Sequence, residues 1–190
     1  MVRPYFIADQ AIASIANVSR WADRLVYRPA AGSRWSGIAV AAVASLGVAA
    51  TVALLDGFVS PTSAFPAGYA DMLARTSTLA RLAYYVPRAV WEEVLFRGVG
   101  VSVLAWLGQY FCKRRVAWWL AIATAQCINL AIALPAPSGW LVFFYDGVRY
   151  FAPGVVWGWL FWRYGILAAA GAHAGAQLLI QPALTLLYQH

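Results

Sequence analysis

The chain has 190 residues, of which 63% are apolar and 11% charged, against roughly 45–50% and about 25% in an ordinary soluble domain. A water-soluble domain of this length cannot cover so much apolar surface, and a disordered chain has the opposite composition, so lipid is the expected solvent for most of it. The formal charge of +7 does not call for nucleic acid. Its basic residues are scattered near the ends of apolar runs, with no dense stripe beyond Lys113-Arg114-Arg115, and positive-inside topology accounts for them.

Residues 1–35 are not a cleavable signal peptide, because Asp9, Gln10, Arg20, Asp23 and Arg24 interrupt any apolar core. Ile12, Ile15, Val18, Trp21 and Leu25 outline a partly amphipathic helix resting among lipid headgroups, and its arginines favour the cytoplasmic side. The first span is expected over about 37–55, ending at Asp56 before a connection that runs through Pro66. Leu79, Leu82 and Val86 then recur at helical spacing, with Arg75 and Arg81 among them, which describes an interfacial helix running into Pro87. Further spans follow at about 88–111, 116–134, 140–162 and 166–188, the third closed by the Pro135-Ala136-Pro137-Ser138-Gly139 turn.

The chain is therefore read as all-α, a polytopic transmembrane helical bundle of about five spans with amphipathic interfacial helices. It divides into an amino-terminal interfacial segment (1–35), an anchoring span (36–60) and a helical core (61–190). With the amino terminus inside, Arg3, Arg20, Arg24, Arg28, Arg34, Lys113, Arg114, Arg115 and Arg163 all fall on the cytoplasmic side, and only Arg75 and Arg81 fall opposite. Trp118, Trp119, Trp140, Trp162 and Tyr164 lie near span ends, where amphipathic rings settle at the interface. Cys112 and Cys127 have neither a Cys-x-x-Cys spacing nor a secreted framework around them and are read as free thiols. No internal repeat is found.

The informative residues are the polar ones inside the spans, since each charge costs on the order of 2.5–3.5 kcal/mol at a helix centre and needs a partner or a task. The second span reads Arg88-Ala-Val-Trp-Glu92-Glu93-Val-Leu-Phe-Arg97-Gly98. Arg88 and Glu92 are i,i+4, as are Glu93 and Arg97, so each pair shares a face while the two adjacent carboxylates diverge by about a hundred degrees. Two intrahelical ion pairs that merely make four charges tolerable are one reading. Convergence with other helices is the other: the third span supplies Gln126 and Asn129, and the fifth supplies His173 and Gln177. His173 lies in the small-residue stretch Gly171-Ala-His173-Ala-Gly175, which lets a neighbouring backbone come close. Asp146 and Arg149, i,i+3 in the fourth span, form a pair that either lines a substrate cleft or simply neutralises itself, the second being the favoured reading.

These residues resemble the CPBP intramembrane glutamic proteases, a family that includes the type II CAAX prenyl endopeptidases and bacterial Abi-type proteins. The family's Glu-Glu-x-x-x-Arg motif is matched by Glu92, Glu93 and Arg97, with the common Phe96-Arg97-Gly98 ending. Its His-x-x-x-Asn motif is matched by His173 with Gln177 at the Asn position, and Gly158-Trp-Leu-Phe-Trp-Arg163-Tyr-Gly165 is similar to the approach to it. The Phe-x-x-x-His motif corresponds by spacing to Ala125-Gln126-Cys127-Ile128-Asn129, which places asparagine where the family has histidine. The resemblance covers roughly residues 80–185.

The resemblance implies an intramembrane endopeptidase whose substrate is a membrane-embedded or membrane-anchored protein, in a bacterial cytoplasmic (inner) membrane. Glu92 would be the general base, Glu93 and Arg97 would hold its surroundings, Asn129 would orient a water, and His173 with Gln177 would face the oxyanion. No cofactor is implied. A metal site wants about three good protein ligands, and the spans offer one histidine, two carboxylates already matched with arginines, and amides. Asn129 keeps a second reading open, a non-catalytic scaffold or partner-binding protein of the same fold; a transporter is a third, disfavoured without a repeat. Glu92 falls near the outer end of its expected span and His173 nearer the inner end of its own, so either a boundary lies elsewhere or the helices tilt steeply.

Overall fold

Helix is the only regular structure among the described residues (34–60, 67–134, 137 and 139–188) of the computed structural model. A backbone surrounded by lipid favours this, because a helix satisfies each N–H and C=O within its own segment. The amino-terminal interfacial helix and the basic residues assigned to it lie outside the described residues. Helix α1 is Arg34–Val59 and α2 is Ala67–Arg75. Helix α3 begins at Thr78–Glu92, continues as a π-helical stretch Glu93–Val101 and ends as Ser102–Gly108. Helix α4 is Arg114–Ala133. Helix α5 is built from Trp140–Asp146, a π-helical Gly147–Phe151 and Ala152–Tyr164, and α6 is Ile166–Tyr188.

Five of these helices stand where the five spans are expected. Ser36–Val59 and Arg114–Ala133 are long and apolar enough to cross a membrane on their own composition. Helices α3, α5 and α6 carry the charged and amide side chains described below, which dilute their apolar character.

One boundary differs from expectation. The interfacial helix and the second span are a single helix, with Ser77 as N-cap accepting from the Ala80 N–H at 3.2 Å and Pro87 inside the run. Proline removes a donor and crowds the preceding turn, which ordinarily favours a stop, but here helical hydrogen bonding resumes on both sides. The extension puts Glu92 and Glu93 in the middle of a long helix rather than at its end, and this removes the depth conflict with His173. Each π stretch inserts extra backbone into its helix, a feature that recurs at functional sites. The second one ends two residues before Pro153, whose missing N–H such a local adjustment accommodates.

Turns follow local chemistry. Leu134 leaves α4 in an extended conformation (φ −119°, ψ 146°), as the residue before Pro135 must. Gly165 joins α5 to α6 at φ 89°, a region closed to most side chains.

Close helix contacts depend on small residues. On α6, Gly175 receives the Ser45 hydroxyl of α1; a Cβ at Gly175 would stand 2.8 Å from that oxygen. The same hydroxyl lies 2.8 Å from the Ala41 carbonyl and 2.9 Å from the Ala172 carbonyl. Gly158 of α5 takes Ile122 of α4, which a Cβ would approach to 2.6 Å. Trp118 is not a headgroup anchor: it is buried and stacked on Trp162, with centroids 5.8 Å apart and planes 10° apart. Trp140 is exposed, as an interfacial ring should be. Cys112 and Cys127 are free thiols.

Candidate active site

A cavity of about 280 Å³ opens between the helices. Of the site residues expected from sequence, Glu92 and Arg97 on α3, Asn129 on α4, and His173 and Gln177 on α6 line it together. Glu93 does not. It is fully buried beside the cavity, where its Oε1 lies 2.9 Å from His173 Nδ1 and its Oε2 lies 3.4 Å from Arg97 Nε. The divergence of adjacent helical carboxylates thus separates their surroundings, Glu92 facing the opening and Glu93 the protein.

His173 is held in two ways. Glu93 takes its Nδ1 edge, and the ring lies against Trp157, centroids 5.5 Å apart and planes 17° apart. Fixing one ring nitrogen to a carboxylate leaves the Nε2 edge for the cavity that the residue lines. Glu92 keeps its i,i+4 partner: Arg88 Nε donates to Glu92 Oε1 at 2.7 Å, and Arg88 Nη1 donates to the Tyr84 hydroxyl at 3.2 Å. This pair is partly open, with Arg88 45% and Glu92 20% exposed.

Arg97 is buried and serves three helices. Besides Glu93 on its own helix, its Nη2 donates to Gln126 Oε1 of α4 at 2.7 Å and to the Gly154 carbonyl of α5 at 3.0 Å. Gln126 Nε2 donates in turn to the Tyr150 carbonyl at 3.1 Å. Gly154 is required here, because a Cβ at that position would overlap the Gln126 amide. The bare backbone lets guanidinium and amide reach the α5 carbonyls.

A second buried charge pair closes the cavity on the α1 side. Arg149 meets Asp56, and the Tyr145 hydroxyl donates to Asp56 Oδ1 at 3.0 Å. Asp56, not the i,i+3 neighbour Asp146, is therefore the carboxylate that Arg149 contacts. Three rings surround the guanidinium, with the Tyr69, Tyr150 and Tyr145 centroids 4.7, 5.3 and 5.6 Å away. Burial holds the Tyr69 phenol, on α2, well above its ordinary range, and the Arg149 charge pulls it partly back. Helix α1 adds Val48 and Val52 to the cavity wall, so it is also part of the site.

Sequence reasoning noted Gln126 but did not assign it, and it missed Asp56 and Gln181. Gln181 could have been found: it stands four residues beyond Gln177 on the same helical face. Asp56 gave no comparable signal, since pairing between helices leaves no spacing to read. Among the described residues, no group of three or more His, Cys, Asp or Glu side chains stands together to hold a metal ion.

A family model described as type II CAAX prenyl endopeptidase Rce1-like matches residues 73–179, more than half of the chain. No curated protein and no solved structure matches. The matched region runs from α2 into α6 and contains every expected site residue.

Proposed function

Because the chain belongs to the Rce1-like family of type II CAAX prenyl endopeptidases, we propose that it is an intramembrane glutamic endopeptidase hydrolysing a peptide bond of a membrane-embedded or membrane-anchored protein. The observation that carries this reading is the meeting of Glu92, Asn129, His173 and Gln177, from three helices, on one cavity.

In this reading a water sits between Glu92 and Asn129. Glu92 takes a proton from it as the water oxygen attacks the scissile carbonyl carbon, and the Asn129 amide orients the water without accepting its proton. The carbonyl oxygen gains negative charge and turns to the Gln177 amide and to His173 in its imidazolium form, whose Nδ1–H donates to the Glu93 carboxylate and whose Nε2–H donates to the oxygen, donors held in advance as oxyanion stabilisation requires. Collapse of the tetrahedral intermediate breaks the C–N bond, and Glu92 returns the proton to the leaving nitrogen. Glu93 holds His173, while Arg97 ties α3 to α4 and α5, so each acts through the groups it positions.

The five long helices act as five spans with the amino terminus in the cytoplasm, a topology supported by the distribution of arginine and lysine. Residues 61–190 form the catalytic core, with residues 36–60 as anchor and wall. Purified protein in bicelles, offered internally quenched peptides that include a prenylated CAAX-type sequence, should cleave in a Glu92-dependent manner. Equal cleavage by wild type and Glu92→Ala refutes the assignment. Asn129 favours one other reading, a non-catalytic scaffold of the same fold, whose partner binding would be indifferent to Glu92 and His173.

A further inference from the structure

Polar side chains recur every fourth residue along α6, at His173, Gln177, Gln181 and Thr185. That spacing stacks them on one helical face, and the first three line the cavity. Side chains on a helix lean toward its amino terminus, so each reaches back over the one before it. Gln181 is 2% exposed, and its Nε2 donates to Gln177 Oε1 at 3.0 Å.

Gln181 is itself anchored. Its backbone carbonyl accepts from Arg81 Nη2 at 3.4 Å and from the Thr185 hydroxyl at 3.0 Å. Arg81 is buried, contacts the Thr185 hydroxyl and donates to the Leu73 carbonyl at 3.1 Å. The α6 stripe is thereby fastened to α2 and to the start of α3.

An amide carries its acceptor and its donors on opposite arms of one carbon. With Oε1 of Gln177 engaged by Gln181, the NH2 of Gln177 is turned away from Gln181. We infer that Gln181 is a positioning residue: by occupying the carbonyl end of the Gln177 amide, it presents the amino end to the oxyanion. This rests on the peptidase reading above.

The need is specific to glutamine. Its arm is one methylene longer than the asparagine of the family motif, and an unrestrained amide can turn its oxygen toward the developing negative charge. Donors stabilise a transition state only where they are held before the charge appears. The residue one turn further along α6 supplies that restraint.

The test compares Gln181→Met, which keeps the length and removes the donor, and Gln181→Glu, which offers only acceptors and so draws the Gln177 NH2 away from the cavity. Each is made in the wild-type and Gln177→Asn backgrounds and assayed on the quenched peptide panel, with thermal unfolding recorded for every variant. In the wild-type background Gln181→Met should lower kcat about ten-fold with KM within about two-fold, the pattern of a misplaced transition-state donor. Gln181→Glu should lower kcat at least as far. In the Gln177→Asn background Gln181→Met should change kcat less than about two-fold, because the shorter amide has no contact with Gln181 to lose.

Unchanged kcat in Gln181→Met or Gln181→Glu overturns the inference. So does an equal fall from Gln181→Met in both backgrounds, which would mark a purely structural role. Full activity in Gln177→Leu refutes the oxyanion role of Gln177 and this inference with it, and absence of any Glu92-dependent cleavage refutes the peptidase reading as well.

Discussion

Exchanging Glu93 for glutamine keeps the shape of the side chain and removes its charge. The carboxylate is fully buried between Arg97 at 3.4 Å and His173 at 2.9 Å, and Arg97 is itself only 3% exposed. Removing one partner of a buried pair leaves the other desolvated and uncompensated, at a cost of about 3–5 kcal/mol. The glutamine oxygen can still accept one hydrogen bond, which places the expected loss near the lower end of that range. Against a total stability of about 5–15 kcal/mol, even 3 kcal/mol is a large fraction. Glu92→Gln makes the same chemical change one residue earlier, but its partner Arg88 is 45% exposed and Glu92 is 20% exposed. A pair this open is worth about 1 kcal/mol or less. The two variants should therefore separate. Glu93→Gln should be strongly destabilised, whereas Glu92→Gln should unfold close to wild type while losing a hundred-fold or more of its peptidase rate, the order of general-base catalysis. Denaturant titration of the detergent-solubilised protein, followed by tryptophan fluorescence, measures the first; quenched-peptide cleavage measures the second. Equal destabilisation of both variants would refute the burial argument, and a fully active Glu92→Gln would refute the choice of base.

Gly154→Ala forces the Gln126 amide aside and breaks its link to Arg97; a loss of about 1–3 kcal/mol from overpacking is expected in the same titration, with a fall in activity. Asp56→Asn leaves the Arg149 guanidinium among tyrosines without its carboxylate, so a loss of about 3–5 kcal/mol is expected in the same titration. Asn129→His, which gives the cavity wall a group able to accept a proton, should raise kcat/KM at least several-fold. An unchanged or lower rate in a well-folded Asn129→His protein would show that no proton acceptor is wanted at that position.

How far these features could be read from sequence depends on which interactions leave a periodic trace. The runs around α1, α4, α5 and α6 are long enough that lipid transfer alone placed their helices within a few residues of where they stand. The start of α3 was misplaced, because Pro87 reads locally as a stop while its cost is met by the helix around it. Arg88 with Glu92 and Glu93 with Arg97 were legible because intrahelical pairs have a fixed spacing. Which of the two glutamates faces the cavity was not, since that depends on the rotation of α3 against α4 and α6. The same limit hid Asp56. Arg149 has a carboxylate three residues away in Asp146, and only packing brings the end of α1 against α5. Trp118 was read as an anchor from its position near a span end, but the face of α4 that carries it packs on α5. Arg81, counted only for its charge, is buried with its guanidinium bonded to backbone carbonyls and threonine hydroxyls, where it joins α2, α3 and α6.

The contact between Asp56 and Arg149 also constrains the order in which the molecule is assembled. A ribosome makes α1 well before α5, so a growing chain presents the Asp56 carboxylate before its guanidinium has been synthesised. Until then α1 lacks this contact with α5, and the same holds for Gly175, whose notch for Ser45 is translated later still. Chains stalled or truncated ahead of α5 would carry Asp56 without its Arg149 and Tyr145 contacts, so the junction between the end of α1 and α5 closes only once the later helix exists.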